Sequence, residues 1–375
     1  MSRSGFCVLA LLLSVVGARA EPPDPPREET PAAAAYKRLA ADWEKRTKEY
    51  LATSRAAETE EEKKALKETF ATDRKDCAAR FLAIGEKYPK DAVAVDALSM
   101  AVRLGHGSPE LDRALSTLTK EHVQDPKIAG LCMTLAFVKS SDAEKLLRAV
   151  LDKNPADGAR GRACYALALR LQEQAQQQPR DDAEKAMKEA EALYEQVVKK
   201  YADVAEGRLG KLGDAAKAAL FELRNLAVGK VAPDIEGEDV DGKKFKLSDY
   251  RGKVVVLDFW GHWCPDCRGT YPQARALVKR LEKKPFALLG VNSDTDREQL
   301  KKVLAKNKLT WRAWWDGGST QGPIATTWHV YEWPTIYVLD HKGVIRHKGN
   351  EELAEKLEKW VDALLKERDE EAGRQ

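Results

Sequence analysis

Apolar positions along this chain follow two rhythms, and the change between them falls near residue 228. Upstream, Leu66, Phe70, Cys77, Phe81 and Ile84 recur at three-, four- and seven-residue steps, the spacing that gathers side chains on one helix face. The pattern predicts helices from Tyr36 to about Ala227. Downstream, short apolar runs bounded by glycine, proline and aspartate predict strands over Val254–Trp260, Phe286–Asn292, Thr335–Leu339 and Val344–His347. Two short strands within Lys230–Leu247 are joined at Asp241-Gly242, a hairpin signal. Helices are predicted over Arg297–Asn307, Pro323–Trp328 and Glu351–Leu365, the last with Leu353, Leu357, Trp360 and Leu364 facing inward. The expected architecture is an all-α domain, residues 36–227, followed by an α/β domain, residues 228–368, and a disordered tail, 369–375.

The helical part carries a weak repeat. Segments beginning at Ile84, Leu118, Val150 and Val197 share an apolar, polar, turn pattern, at steps of 34, 32 and 47 residues. The first step is the tetratricopeptide period, so stacked helical hairpins are expected, with the glutamine-rich Gln172–Pro179 as an insertion. Leu98, Cys132 and Cys164 then fall at one repeat position, which argues for core packing. Cys77 joins them as a buried thiol, although a Cys132–Cys164 bridge or a functional thiol among the three remains open.

The N-terminus changes the picture of where the protein works. Arg3, the apolar run Phe6–Val16 and Ala18-Arg19-Ala20 read as a secretory signal over residues 1–20. A proline-rich linker follows over residues 21–35. The expected product is extracytoplasmic, in a bacterial periplasm, with no membrane span after cleavage. The formal net charge is +3 with lysines and glutamates interspersed, the pattern of solvated helix faces rather than of a nucleic-acid surface.

The chemistry centres on Val254–Cys267, an apolar strand that ends in an aromatic turn and two cysteines three residues apart. Gly261 permits a turn, Cys264 falls at a helix N-cap, Pro265 suits the first helical position and Asp266 suits the positive end of the dipole. Unpaired N–H groups at that end favour thiolate at Cys264, the attacking sulfur, and leave Cys267 one turn on to resolve. A structural zinc needs four ligands, and no second cysteine or histidine pair accompanies this one. Two readings stand: a Cys264–Cys267 redox disulfide without a cofactor, or copper(I) held by both thiolates and His262.

From Gly229 to about Leu365 the chain resembles the TlpA-like or ResA-like exported thiol-disulfide oxidoreductases, thioredoxin-fold proteins of the redoxin superfamily. The resemblance rests on Ala232-Pro233-Asp234, Leu247-Ser248-Asp249 and Gly252-Lys253 before the strand, on Trp260, Trp263, Arg268 and Pro272 around the cysteines, and on Val291-Asn292-Ser293-Asp294, Pro334-Thr335, Leu339-Asp340 and Gly343 beyond them. It implies a mixed sheet with helices on both faces and a cis peptide before Pro334, facing the disulfide. Trp333 would then offer its backbone to an extended substrate, with Trp263, Pro265 and Asp266 completing the rim. Many relatives carry glutamate three residues after the second cysteine; here Thr270 stands there, and the acid is Asp258 on the strand. Burial there would raise its pKa and suit it to take a proton from Cys267; the other reading is a solvated strand-end aspartate. Gly261 replaces the threonine that a peroxiredoxin needs.

Seven of the nine tryptophans lie between residues 260 and 333; Trp311, Trp314 and Trp315 are expected to fill core. Three functions follow. The first is an exported oxidoreductase that reduces protein disulfides and takes electrons from an upstream thiol partner, its helical domain recruiting a partner or substrate. The others are a helical interaction protein with a subordinate redox domain, and a copper-handling dithiol protein.

Overall fold

A computed structural model describes residues 29–175, 179–350 and 354–374. The expected signal segment, most of the linker and Leu353 lie outside the described residues. The chain forms two compact units that divide between Ala114 and Leu115.

The first unit contains α1 (Pro31–Ala56), α2 (Glu60–Lys87) and α3 (Ala94–Leu104). Its opening helix corrects the expected linker boundary at residue 35. Pro31 occupies a position that needs no N–H, Thr30 accepts a hydrogen bond from the Ala33 N–H at 3.1 Å, and alanines follow, so the helix starts five residues early. Cys77 and Phe81 are buried as the periodicity predicts. Gly85 is required by close approach, since a Cβ there would lie 2.5 Å from Leu98 Cγ.

Helix α4 (Pro109–Glu121) spans the division, and the second unit continues through α5 (Ala129–Leu135), α6 (Ser141–Lys153), α7 (Asp157–Ala175) and α8 (Arg180–Lys200). A two-residue hairpin, β1 (Ala205–Glu206) with β2 (Gly210–Lys211), precedes α9 (Leu212–Phe221). The four repeat segments are the closing turns of α2, α4, α6 and α8. In each, the carbonyl of Ile84, Leu118, Val150 or Val197 accepts the N–H four residues on, at 3.1, 3.0, 3.0 and 2.8 Å. Part of the supposed insertion, Gln172–Ala175, simply continues α7. Cys132 and Cys164 are buried free thiols, both pushed by burial up to about 12.

The rhythm change near residue 228 falls inside the second unit. Beyond it come β3 (Glu236–Glu238), β4 (Lys244–Lys246), β5 (Val254–Trp260), α10 (Pro265–Arg280), β6 (Phe286–Asn292), α11 (Arg297–Asn307), β7 (Arg312–Trp315), α12 (Pro323–Thr327), β8 (Thr335–Leu339), β9 (Ile345–Gly349) and α13 (Ala354–Ala372). The helical segment is fastened to this region. Phe221 stacks on His329 with ring centroids 5.3 Å apart, Lys348 reaches Glu222 at 3.3 Å, and the Gly229 N–H donates to the Ile345 carbonyl at 2.7 Å.

The sheet runs β7-β6-β5-β8-β9, with β5, β6 and β7 parallel and β8 and β9 antiparallel. Its central strand β5 is buried throughout. Alternation sends Val254, Val256 and Trp260 to a core shared with α10, α11 and α13, and Val255, Leu257 and Phe259 to the opposite core. That second core is closed by the β3–β4 hairpin, Leu226 and α12, the short helix expected over Pro323–Trp328. Strand β7 was not anticipated: its tryptophans read as core filler, and Trp314 is indeed fully buried. Helix α13 runs to Ala372, which corrects the disordered tail. Its last turns are held by Arg346 to Glu367 at 3.0 Å, Lys342 to Glu371 at 2.6 Å and Arg368 Nε to the Gly252 carbonyl at 3.1 Å.

Candidate functional site

Strand order and helix start bring the site together. Pairing of β5 with β8 sets Phe259 opposite Thr335, so the segment preceding Thr335 lies beside the exit of β5. The peptide bond between Trp333 and Pro334 is cis, and the Trp333 carbonyl accepts from the Cys264 thiol at 3.4 Å.

Cys264 is the N-cap of α10, with Pro265 in the first turn, and its sulfur accepts the Cys267 N–H at 3.2 Å. Cys264 is only 3% exposed and Cys267 is more deeply buried. Burial, the bond to Cys264 and the nearby Asp258 carboxylate all push the Cys267 thiol well above its ordinary value. The two cysteines therefore differ: the Cys264 sulfur accepts a backbone donor, and the Cys267 thiol is raised by burial and its neighbours.

Asp258 lies on the same face of β5 as Val256 and Trp260, the face covered by α10. It is 8% exposed, its Oδ1 has no partner, and burial pushes its carboxyl up to about 7. The solvated alternative is excluded by that burial. A cavity of about 20 Å³ adjoins it, bounded by Thr270, Gln273 and apolar side chains. This is room for one water.

Around the sulfurs, Trp263 is 45% exposed and its ring sits 5.7 Å from that of Trp333, while Pro265 and Asp266 are exposed beside them. The Trp333 Nε1 donates to the Ser293 hydroxyl at 3.1 Å. His262 does not join the sulfurs. Its Nδ1 lies 3.2 Å from the Tyr271 hydroxyl, and no group of three or more His, Cys, Asp or Glu suited to a metal occurs among the described residues. The copper reading loses its third ligand.

The residues that hold the turn entered the sequence reading only as matches to the resembled family, with no role assigned. Asp294 accepts the His262 N–H at 2.9 Å and Asn292 Nδ2 at 2.7 Å, and Arg268 Nη1 donates to the His262 carbonyl at 2.8 Å. The signal was a polar triplet, Asn292-Ser293-Asp294, directly after an apolar strand; the first two are fully buried.

The chain is similar to known proteins over its C-terminal part. The profile described as AhpC/TSA family matches residues 228–348. The "Thiol-disulfide oxidoreductase ResA" of Bacillus thuringiensis subsp. konkukian is 31% identical over 140 residues, 37% of this chain and 79% of that protein. The "Thioredoxin-like protein YneN" of Bacillus subtilis is 33% identical over 142 residues, covering 35% of this chain and 78% of that one. A solved "putative Thiol:disulfide interchange protein DsbE" from Chlorobium tepidum shares 30% identity over 37% of this chain and 98% of its own, with a TM-score of 0.34.

Proposed function

Because the chain belongs to the ResA-like family of thiol-disulfide oxidoreductases, we propose that Cys264 and Cys267 form its redox couple and that it reduces protein disulfides outside the cytoplasm. The observation that carries this reading is the asymmetry of the pair: the Cys264 sulfur meets a backbone donor, whereas the Cys267 thiol is held protonated close to a buried carboxyl.

Cys264 attacks a substrate disulfide, a Cys264–substrate S–S bond forms, and the other substrate sulfur leaves and takes a proton. Cys267 then gives its proton to Asp258 and attacks the Cys264 sulfur. The Cys264–Cys267 disulfide forms, the second substrate thiol departs, and the protein has lost two electrons that an upstream dithiol must return. With its carboxyl near 7, Asp258 can take up and release protons around neutral pH. The cis Trp333-Pro334 segment offers backbone to an extended substrate, with Trp263, Pro265 and Asp266 at the mouth.

Nothing in this scheme calls on a metal or cofactor. Among the described residues no helix is long and apolar enough to cross a membrane. Export rests on the signal-like residues 1–20, and cleavage before Glu21 is testable by sequencing the N-terminus of the secreted product. Reducing direction is tested by the reduction potential of the pair, from equilibration in glutathione or dithiothreitol buffers. A value near or below about −270 mV supports a reductase, and one near about −120 mV makes it an oxidant.

A further inference from the structure

Once Asp258 has taken the Cys267 proton, it must lose that proton before the carboxyl can serve again. The cavity of about 20 Å³ beside it lies between β5, β6, β8, α10 and α13. β6, β8 and α13 contribute Leu288, Ile336 and Leu357 to its wall, and β5 contributes Val256 with Asp258. The other polar side chains of the wall are Thr270 and Gln273 of α10. Trp263, Pro265, Asp266 and Trp333, the residues at the mouth, do not line it.

Asp258 is 8% exposed and its buried Oδ1 has no partner. A carboxylate at that depth calls for a donor, and a water held by two or more polar groups can be one. Thr270 suits such a water. Its hydroxyl donates to the Cys267 carbonyl at 2.9 Å, and with its single proton committed there the oxygen can only accept within the cavity. Gln273 stands three residues on, adjacent to Thr270 on one helix face. Both side chains are half-buried, so each meets the cavity on one side and solvent on the other.

We propose that Thr270 and Gln273 are positioning residues for a water that carries the Asp258 proton to solvent through the flank of α10. The inference rests on the Asp258 relay proposed above and adds the path by which that relay resets. Cys267 gives its proton to the Asp258 carboxylate, leaving a thiolate and a carboxylic acid. The acid then passes its proton to the water, which hands one on to bulk water between Thr270 and Gln273, and the carboxylate is restored. Because this path avoids the mouth, the carboxyl resets while a polypeptide still covers Trp263 and Trp333.

The test uses the full reduced chain and a glycine-alanine nonapeptide whose central cysteine is carried as its mixed disulfide with thionitrobenzoate. First attack forms the Cys264–peptide disulfide and releases yellow thionitrobenzoate, followed by absorbance. Resolution by Cys267 releases the peptide thiol, followed by acid quenching and mass spectrometry. Thr270→Val keeps the side chain's shape and removes the acceptor; it is expected to slow resolution about tenfold relative to first attack. Thr270→Ser should restore the ratio, and Gln273→Leu should lower it in the same sense as Thr270→Val. The pH midpoint of the resolving step should also move upward in Thr270→Val, since a water that donates to the carboxylate supports its charged form. Cys267 and Tyr271, both on α10, feel the charge of Asp258 and are unaltered in these variants. An unchanged ratio and midpoint in both Thr270→Val and Gln273→Leu would overturn the path, as would a slowing shared equally by first attack. Resolution at the parent rate in Asp258→Asn would instead overturn the relay on which the path rests.

Discussion

The backbone N–H of Cys267 points at the sulfur of Cys264 across 3.2 Å. One residue thus gives the other's sulfur a backbone donor, while burial and the nearby Asp258 raise its own thiol. In the proposed cycle the Cys264 sulfur attacks first, and Cys267 needs a proton acceptor before it acts.

Asp258→Asn keeps the shape of that acceptor and removes its basicity. The resolving step is expected to slow by at least about 100-fold while the first attack changes little. Stopped-flow measurement of mixed-disulfide formation and decay separates the two. Equal rates for both steps in mutant and parent would remove Asp258 from the mechanism.

The same carboxyl sets a pH dependence of stability. Its pKa rises from 3.8 to about 7 on folding, so between these values the folded state binds more protons than the unfolded one. Stability contributed through this group therefore falls as pH rises from about 4 to about 7, by on the order of 4 kcal/mol in total. Urea midpoints at pH 5 and pH 8 should show the loss in the parent protein and a smaller loss in Asp258→Asn.

Gly290 lies on β6 beside the strand that carries the site. A Cβ there would stand 2.6 Å from Trp260 Nε1 and 3.0 Å from Ala313 Cβ, and Trp260 is almost fully buried. Gly290→Ala is expected to cost about 1–3 kcal/mol by overpacking, read as a lower urea midpoint at unchanged slope.

Much of this was legible from residue patterns alone. Val254–Trp260 announced a buried strand, and Cys264-Pro265 announced the helix start, because both signals are local. The helix Arg297–Asn307 and the strand Phe286–Asn292 fell where their periodicity placed them. Strand β7 was missed because four residues with paired tryptophans show no alternation until β6 lies beside them. The span of α13 past Leu365 was missed because it depends on partners remote in sequence, Lys342, Arg346 and Gly252. Asp294 was likewise unreadable as a support: its partner, the His262 N–H, is brought to it only when β5 and β6 pair.

Asp294 yields a prediction of its own. Asp294→Ala leaves the His262 N–H and the buried Asn292 amide without their acceptor, at a cost of roughly 1–3 kcal/mol for each group left unsatisfied. The turn before Cys264 should loosen and attack on small disulfides should slow, with the rate partly restored in Asp294→Asn, which keeps an acceptor oxygen. Stability lost without any change in that rate would leave Asp294 a purely structural residue.

The most direct test of the central claim is a trap. Cys267→Ser, incubated with a disulfide-bearing peptide and digested after thiol alkylation, should accumulate a mixed disulfide that mass spectrometry locates on Cys264, while Cys264→Ser forms none and turns over nothing. A peptide adduct on Cys77, Cys132 or Cys164, or turnover retained in Cys264→Ser, would contradict the account.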